Sequence, residues 1–214
     1  MIKPKVYIVQ TGVSMYNTMF EERGFEVVDS VADADLMQFI GGADVNPAMY
    51  KHTKHNTTHF VESVDLIDSQ FFELGKRHNI PMAGICRGGQ FLNVCNGGTL
   101  IQDCDGHAVG STHIAIDVAS GATIEVSSTH HQMMRMGIEG EMVATANEST
   151  YTEIHNYGHP IKVTMVDDAE VVYYKDTNSL CFQPHPEFNG VKQCRDYYFA
   201  CLERFLGVAL RDAS

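Results

Sequence analysis

The sequence has little positive charge, and the charge is not clustered. Fifteen Lys and Arg residues stand against 27 Asp and Glu residues, which gives a formal net charge of −12. Binding to nucleic acid needs clustered basic side chains, and anionic membrane surfaces also attract basic ones. We therefore expect neither nucleic acid nor membrane as a partner, while the chemistry of a small-molecule substrate remains open.

Paired cysteines and long apolar segments are also missing. None of the six cysteines belongs to a CxxC pair, and 214 residues is too long for a small disulfide-stapled module. Residues Met1 to Val13 contain no long apolar segment with a small-residue cleavage site, and no apolar run approaches the length of a membrane span. These observations favour a reducing, cytoplasmic location.

The order of predicted elements indicates an α/β fold. With 44% hydrophobic residues and no internal repeat or linker, the chain is expected to form one domain over residues 1–214. The clearest helical period lies in Phe60 to His78, where apolar residues recur every three or four positions. Strands and helices alternate in the first half: strands at 5–10, 25–28, 36–40 and 80–85, and helices at 14–23, 60–78 and 88–95. This alternation predicts a mostly parallel sheet covered by helices.

The second half is richer in β structure. Alternating apolar and polar residues predict strands there, and Asp176-Thr177-Asn178 is typical of a hairpin turn. A final helix is expected to end at Gly207. The predicted strands are 113–118, 123–128, 162–166, 170–174 and 179–183, and the predicted helix is 191–206.

A cysteine framed by glycines follows the predicted strand 80–85. In the stretch GICRGGQ, residues 84–90, Cys86 lies where a strand gives way to a helix. A nucleophile on such a turn needs small neighbours, here Gly84, Gly88 and Gly89. The helix that follows directs its N-terminal amides at the sulfur and favours the thiolate, and the Arg87 amide is placed to donate to an oxyanion. The pattern predicts a nucleophilic cysteine, although a buried structural thiol in a Gly-rich turn has the same spacing.

A candidate base lies far downstream in CFQPHPEF, residues 181–188. His185 and Glu187 are two positions apart, so an extended backbone places both on one side, where the carboxylate can orient the imidazole. Pro184 and Pro186 exclude a helix interior. Taken alone, the tripeptide is more typical of a surface turn.

Histidines are frequent, but their pattern predicts no metal site. His52, His55 and His59 share one loop in which neither cysteine nor carboxylate completes a ligand set, so a solvated lid is favoured over zinc. His131 is interpreted as a hydrogen-bonded structural residue. The pair Asp167-Asp168 lies between predicted strands and is interpreted as a solvated turn.

Four motifs in sequence order resemble class I glutamine amidotransferase domains. They are FIGGADVNPAMY (39–50), GICRGGQ (84–90), VSSTHHQ (126–132) and PHPE (184–187). Together with GGTLIQD (97–103), they are most similar to the gamma-glutamyl hydrolase and gamma-glutamyl-GABA hydrolase subgroup. The resemblance implies a flavodoxin-like three-layer α/β sandwich with a mostly parallel central sheet and a nucleophile elbow.

The resemblance also implies roles for individual residues. The catalytic triad would consist of Cys86, His185 and Glu187. The oxyanion hole would be formed by the backbone amides of Gly42 and Arg87, and Gly41 is the near competitor of Gly42 for this role. The glutamyl head group of the substrate would be held by the residues Gly41, Gln90, Ser128, Thr129 and His130. The implied reaction is hydrolysis of a gamma-glutamyl amide through a thioester on Cys86, and it needs no cofactor.

Three alternatives stay open. The chain can be the glutaminase component of a two-component amidotransferase, which passes ammonia to a separate synthetase partner. It can be a non-catalytic binding module that keeps the fold, although such a module would be expected to have lost one of the three triad residues. An elbow-bearing cysteine peptidase is the third alternative, but PHPE together with GGADVNP is not expected there.

Overall fold

The structure is a computed structural model that describes residues 3–10, 14–104, 107–108, 110–146, 149–154, 160–165 and 168–209. The helices are α1 Ser14–Glu22, α2 Glu62–His78, α3 Arg87–Cys95 and α4 Lys192–Cys201, the last continued by a π-helical turn over Leu202–Leu206. The strands are β1 Lys5–Val9, β2 Glu26–Val27, β3 Leu36–Phe39, β4 Met82–Ile85, β5 Thr99–Ile101, β6 Ser111–Asp117, β7 Thr123–Ser128, β8 Met133–Arg135, β9 Gly140–Ala146, β10 Ser149–Ile154, β11 Pro160–Met165, β12 Asp168–Tyr174 and β13 Ser179–Phe182.

One large open sheet organises the molecule. Its main path runs β2-β1-β3-β4-β13-β12-β9-β6-β7, with β8 pairing to β12 and β5 to β8. Strands β2, β1, β3, β4 and β13 are parallel, and the ladder beyond β13 is antiparallel. The predicted α/β fold with a central sheet is confirmed, and its parallel part is the half that carries βαβ crossovers. β10 and β11 form a separate hairpin.

Helices cover both faces of the parallel half. Side chains along β1 alternate between the two faces of the sheet. Val6 and Ile8 pack with α1 and α4 in one apolar cluster, and Val9 packs with α2 and α3 in a second cluster on the other face. The three layers of the predicted sandwich follow from this arrangement. In the part of the chain that is described, no helix is long and apolar enough to cross a membrane.

The predicted helices and strands of the first half are all present with shifted ends. The closing hairpin of β12 and β13 is confirmed, and the final helix ends at Gly207, whose φ of +67° is a left-handed cap. β5, β8, β9 and β10 were missed by the sequence patterns. Asp168, expected in a solvated turn, is instead fully buried at the start of β12. That expectation was wrong because β12 already begins at Asp168, before the apolar residues from which the strand was predicted.

Candidate active site

Cys86 occupies a strained turn at the carboxyl end of β4. Its φ of 50° and ψ of −114° are unusual for a residue with a side chain, and such a conformation costs about 1–3 kcal/mol. Its amide donates to the Phe182 carbonyl at 2.8 Å, and its carbonyl accepts from the Gln90 amide at 2.9 Å. The strand on one side and the helix on the other therefore hold the sulfur at the N-terminus of α3.

Close backbone packing explains two of the elbow glycines. A Cβ on Gly84 would lie 2.3 Å from the Gly88 carbonyl, and a Cβ on Gly88 would lie 2.5 Å from the Phe39 carbonyl oxygen. Only glycine allows α3 to approach β3 and β4 this closely. The predicted reason for a glycine frame, crowding in the turn, is visible in these contacts.

His185 and Glu187 meet at the elbow, as the sequence predicts. The His185 Nδ1 atom lies 2.6 Å from Glu187 Oε1, and the imidazole and the Cys86 side chain both border Gly41, within 3.2 and 3.7 Å of the position that a Cβ on Gly41 would take. Burial by itself lowers the pKa of His185, but the hydrogen bonds to Cys86 and Glu187 outweigh it and raise the pKa to about 10. The imidazolium form is thus favoured beside the sulfur. The structure brings the three predicted triad residues together.

The His185 ring and the backbone around it are held from several directions. The ring stacks on Phe188 with centroids 4.6 Å apart and planes inclined by 2°. The His185 amide donates to Ser127 Oγ at 2.7 Å, and Arg195 on α4 donates to the Pro186 carbonyl at 3.0 Å. The last two supports come from β7 and α4, so no local spacing in the sequence could have identified them.

Tyr16 on α1 connects the carboxylate to the glycine loop. Its hydroxyl donates to Glu187 Oε1 at 2.9 Å and accepts from the Gly41 amide at 2.9 Å. Burial, followed by the charge of Glu187, raises the pKa of Tyr16, so the hydroxyl keeps its proton. Sequence reasoning missed this residue, since a buried Tyr in an amphipathic helix is ordinarily packing.

The two glycines of the loop after β3 have different surroundings. The Gly41 amide is engaged by Tyr16, and a Cβ on Gly41 would lie 3.2 Å from His185 Cε1 and 3.7 Å from Cys86 Cβ. Gly42 is exposed, and a Cβ there would meet nothing within 4 Å. Of the two candidates, Gly42 is therefore the one with open space for an incoming oxygen.

Arg87 has its backbone amide beside Cys86, while its side chain pairs with α2. The first amides of a helix have no partner within it, and Arg87 opens α3 beside Cys86. Its guanidinium is buried and pairs with Asp65 and Asp68 of α2. Asp65 also accepts from the Asn46 amide at 3.1 Å, so α2 braces both the elbow and the glycine loop. The two aspartates are therefore buried ion-pair partners and not solvated residues of the helix surface.

The residues predicted to hold a glutamyl group are distributed over two environments. Gln90 is buried, and its amide nitrogen donates to the Gln132 carbonyl at 3.2 Å and to Gln183 Oε1 at 3.1 Å. Ser128 is buried at the end of β7, whereas Thr129, which follows it, is exposed. His130 is also buried, and its Nε2 lies 3.8 Å from Glu170 Oε1 among other histidines. The ring of His130 is therefore directed into the protein interior.

Comparison with known proteins assigns the chain to one class. The model of the Peptidase C26 family matches residues 18–187, and the chain belongs to this family, which supports an amide hydrolase. None of the curated proteins gives a significant match.

Solved structures share the fold at low sequence identity. A putative GMP synthase component from Thermoplasma acidophilum is 15% identical with a TM-score of 0.65, covering 97% of this chain and 94% of its own. A glutamine amidotransferase from Thermotoga maritima is 14% identical with a TM-score of 0.62, covering 97% and 85%. PurLQS from Thermotoga maritima is 15% identical with a TM-score of 0.60, covering 94% and 99%. These similarities establish a class I glutamine amidotransferase-like fold.

Proposed function

We propose that the protein hydrolyses a gamma-glutamyl amide bond through a covalent thioester on Cys86. The observation that carries the proposal is the contact of Cys86, in its strained turn, with an imidazole whose pKa is raised to about 10 and whose Nδ1 lies 2.6 Å from Glu187. A thiolate beside an imidazolium is the reactive form of a cysteine nucleophile.

The first half of the reaction forms the thioester. The Cys86 thiolate attacks the delta carbonyl of the gamma-glutamyl group, and the carbonyl electron pair moves onto oxygen. The Gly42 and Arg87 amides donate to that oxyanion, each contributing about 3 kcal/mol. His185 gives its proton to the nitrogen as the carbon–nitrogen bond breaks, so ammonia or an amine leaves.

The second half consumes water. Neutral His185 accepts a proton from water, whose oxygen attacks the thioester carbonyl. The carbon–sulfur bond then breaks, glutamate leaves, and the thiolate beside imidazolium is restored. Glu187 holds the Nδ1–H tautomer and stabilises the charged ring in both halves.

For the substrate, Gln90 and the segment 128–132 are proposed to hold the glutamyl head group. Gln90 lies one helical turn after Cys86 and contacts the Gln132 backbone. His130 is directed into the interior, so its proposed contribution is limited to positioning the segment and does not include contacting substrate with its ring. The motifs GGADVNPAMY and SSTHHQ favour the gamma-glutamyl hydrolase and gamma-glutamyl-GABA hydrolase subgroup.

The experiment that tests this function measures glutamate release from glutamine, gamma-glutamyl amines and folyl-polyglutamate. Wild-type protein is expected to turn over gamma-glutamyl amines, and Cys86→Ala to have no turnover while remaining folded. A glutamine-like chloroketone should label the wild type at Cys86 and leave Cys86→Ala unlabelled. Full activity in Cys86→Ala would refute the mechanism, and a wild type without turnover or labelling would indicate a binding module.

A second candidate is the glutaminase component of a two-component amidotransferase. It is favoured by the names of two similar structures, PurLQS and a putative GMP synthase component, which point to proteins of synthetase systems. In this case the isolated chain would hydrolyse glutamine alone and slowly, and a co-purified synthetase would raise the rate. Fast turnover of gamma-glutamyl amines without a partner would contradict the second candidate.

A further inference from the structure

Three histidines and a glutamate meet in a buried cluster outside the Cys86 site. The cluster consists of His107, His113, His130 and Glu170, and one ligand atom from each residue lies within 4.8 Å of all the others. His107, His130 and Glu170 are buried, and His113 is half-buried. The sequence patterns predicted no metal site, and these four residues come from distant segments of the chain.

The carboxylate of Glu170 lies at the centre of the cluster. Its Oε1 is 3.1 Å from His113 Nε2, 3.5 Å from His107 Nδ1 and 3.8 Å from His130 Nε2. The contact with His113 lacks the alignment of a hydrogen bond. Four ligands around a tetrahedral zinc ion at ~2.0–2.1 Å are separated by roughly 3.4 Å from one another. The distances from Glu170 Oε1 to the three ring nitrogens are therefore already close to the distance between two ligand atoms of one zinc ion.

The atoms that face each other are those left without hydrogen-bond partners. Among the described residues, His107 Nδ1, His113 Nε2, His130 Nε2 and Glu170 Oε1 are buried and have no such partner. Leaving a buried polar atom unpaired costs about 1–3 kcal/mol, and native proteins rarely leave several in one place. Four such atoms converging on one point indicate a group that binds all of them.

The opposite nitrogens of two rings are already oriented by acceptors. His107 Nε2 lies 2.9 Å from Asp168 Oδ2, and His130 Nδ1 lies 3.0 Å from the Gln132 carbonyl oxygen. When one ring nitrogen donates its hydrogen to such an acceptor, the other nitrogen keeps a lone pair that can bind a metal. Histidines that bind metals in proteins are usually held by an acceptor in this way. The buried Asp168 carboxylate thereby orients one ring of the cluster.

Charge and backbone geometry agree with a cation. Asp168 and Glu170 are both fully buried, and within the described part of the chain the ion-pair contacts of their oxygens are with histidines alone. A divalent cation would neutralise the two carboxylates.

The register of β12 against β9 also shifts between Ala169 and Val171, so Glu170 lies at a β-bulge, which is an irregularity that redirects a side chain.

We propose that His107, His113, His130 and Glu170 form a structural site for a divalent transition metal, with Zn²⁺ the best match. Imidazole and carboxylate ligands suit Zn²⁺, and four protein ligands fill its tetrahedral coordination and leave no position for catalysis. The metal would tie together β6, β12 and the segments before β6 and after β7. Because His130 and Gln90 both contact the Gln132 carbonyl, the site would stiffen the wall beside Cys86.

The test measures metal, and it does not depend on turnover. Protein carrying a tag without histidines is purified, and its metal content is measured by mass spectrometry. About one equivalent of zinc per chain is expected, together with a lower melting temperature in chelator that Zn²⁺ restores and Mg²⁺ does not. The cobalt-substituted protein should show the intense visible bands of tetrahedral Co²⁺.

Variants locate the site. Glu170→Gln and His113→Asn are expected to retain less than about a tenth of the bound zinc, and Asp168→Asn to bind it roughly 10- to 100-fold more weakly. The matched control is His131→Asn, adjacent to His130 in sequence but hydrogen-bonded to Asp44 Oδ1 at 3.1 Å, which should keep its zinc. If a variant does not fold, zinc-edge X-ray absorption of the wild type still reports three imidazole ligands.

Two results would overturn the proposal. One is wild-type protein that takes up no zinc on titration with the metal alone and whose melting temperature is insensitive to chelator. That result would assign the cluster to contacts between histidines and buried carboxylates that need no metal. The other is zinc that remains in full after Glu170→Gln and His113→Asn, which would place the metal elsewhere, for example on the loop histidines His52, His55 and His59.

Discussion

The Tyr16 hydroxyl donates to Glu187 Oε1 at 2.9 Å, and the same oxygen atom of Glu187 lies 2.6 Å from His185 Nδ1. Since Tyr16 also accepts from the Gly41 amide, one side chain of α1 joins the orienting carboxylate to the glycine loop.

Tyr16→Phe is expected to lower kcat about tenfold, equivalent to ~1.4 kcal/mol, with a smaller change in KM. The variant removes a hydrogen bond to a charged acceptor and leaves the Gly41 amide without its partner. Steady-state kinetics with a gamma-glutamyl amine measure both constants. Tyr7→Phe is the control, since its ring packs on Phe71 at 5.4 Å, away from the triad. Equal kcat values for wild type and Tyr16→Phe would show that Tyr16 serves packing alone.

The proton on His185 should persist to high pH. The folded-state pKa of about 10 lies above that of a free imidazole, so bound protons stabilise the folded protein fully below pH ~6.5, and this contribution is lost as the pH rises through about 10. In Cys86→Ala one of the two hydrogen bonds that raise the pKa is absent, so His185 should titrate at lower pH. Nuclear magnetic resonance of labelled histidine measures both midpoints, and coincident midpoints would contradict the contact with sulfur.

Arg87→Met is expected to reduce the free energy of unfolding by about 3–5 kcal/mol, because Asp65 and Asp68 would stay buried without their partner. Lys192→Ala is the matched control: its ion pair with Asp196 has an 89% exposed lysine side chain and should change stability by less than about 1 kcal/mol. Urea unfolding compares the two. A similar decrease in the free energy of unfolding in both variants would argue against a stabilising role for the buried ion pairs between α2 and α3.

Gly88→Ala is expected to destabilise the protein by at least about 1–3 kcal/mol, since the added Cβ would meet the Phe39 carbonyl oxygen at 2.5 Å. Gly190→Ala adds the same methyl group where nothing lies within 4 Å, so its melting temperature should remain near that of the wild type. Thermal unfolding followed by circular dichroism provides the comparison. An unchanged melting temperature in Gly88→Ala would show that α3 can move away from β3 without cost.

Much of the fold was predictable because the signals were local. The period of α2, the alternation in β7 and the left-handed cap at Gly207 depend on residues within a few positions of one another. Strands such as β5 and β8, three residues each, are too short to carry a pattern and form because neighbouring strands offer hydrogen-bond partners.

The sequence by itself determined that Cys86 lies in a glycine-framed turn between a strand and a helix, and that His185 and Glu187 share one side of an extended segment. Only the tertiary structure decided what these residues contact. Tyr16 and Glu187 are 171 positions apart, and His107 and Asp168 are 61 apart. Such partners are chosen by the order of strands in the sheet and by the packing of helices on its faces. Backbone pairing therefore brought His130 beside Glu170, a contact that no spacing within SSTHHQ could indicate.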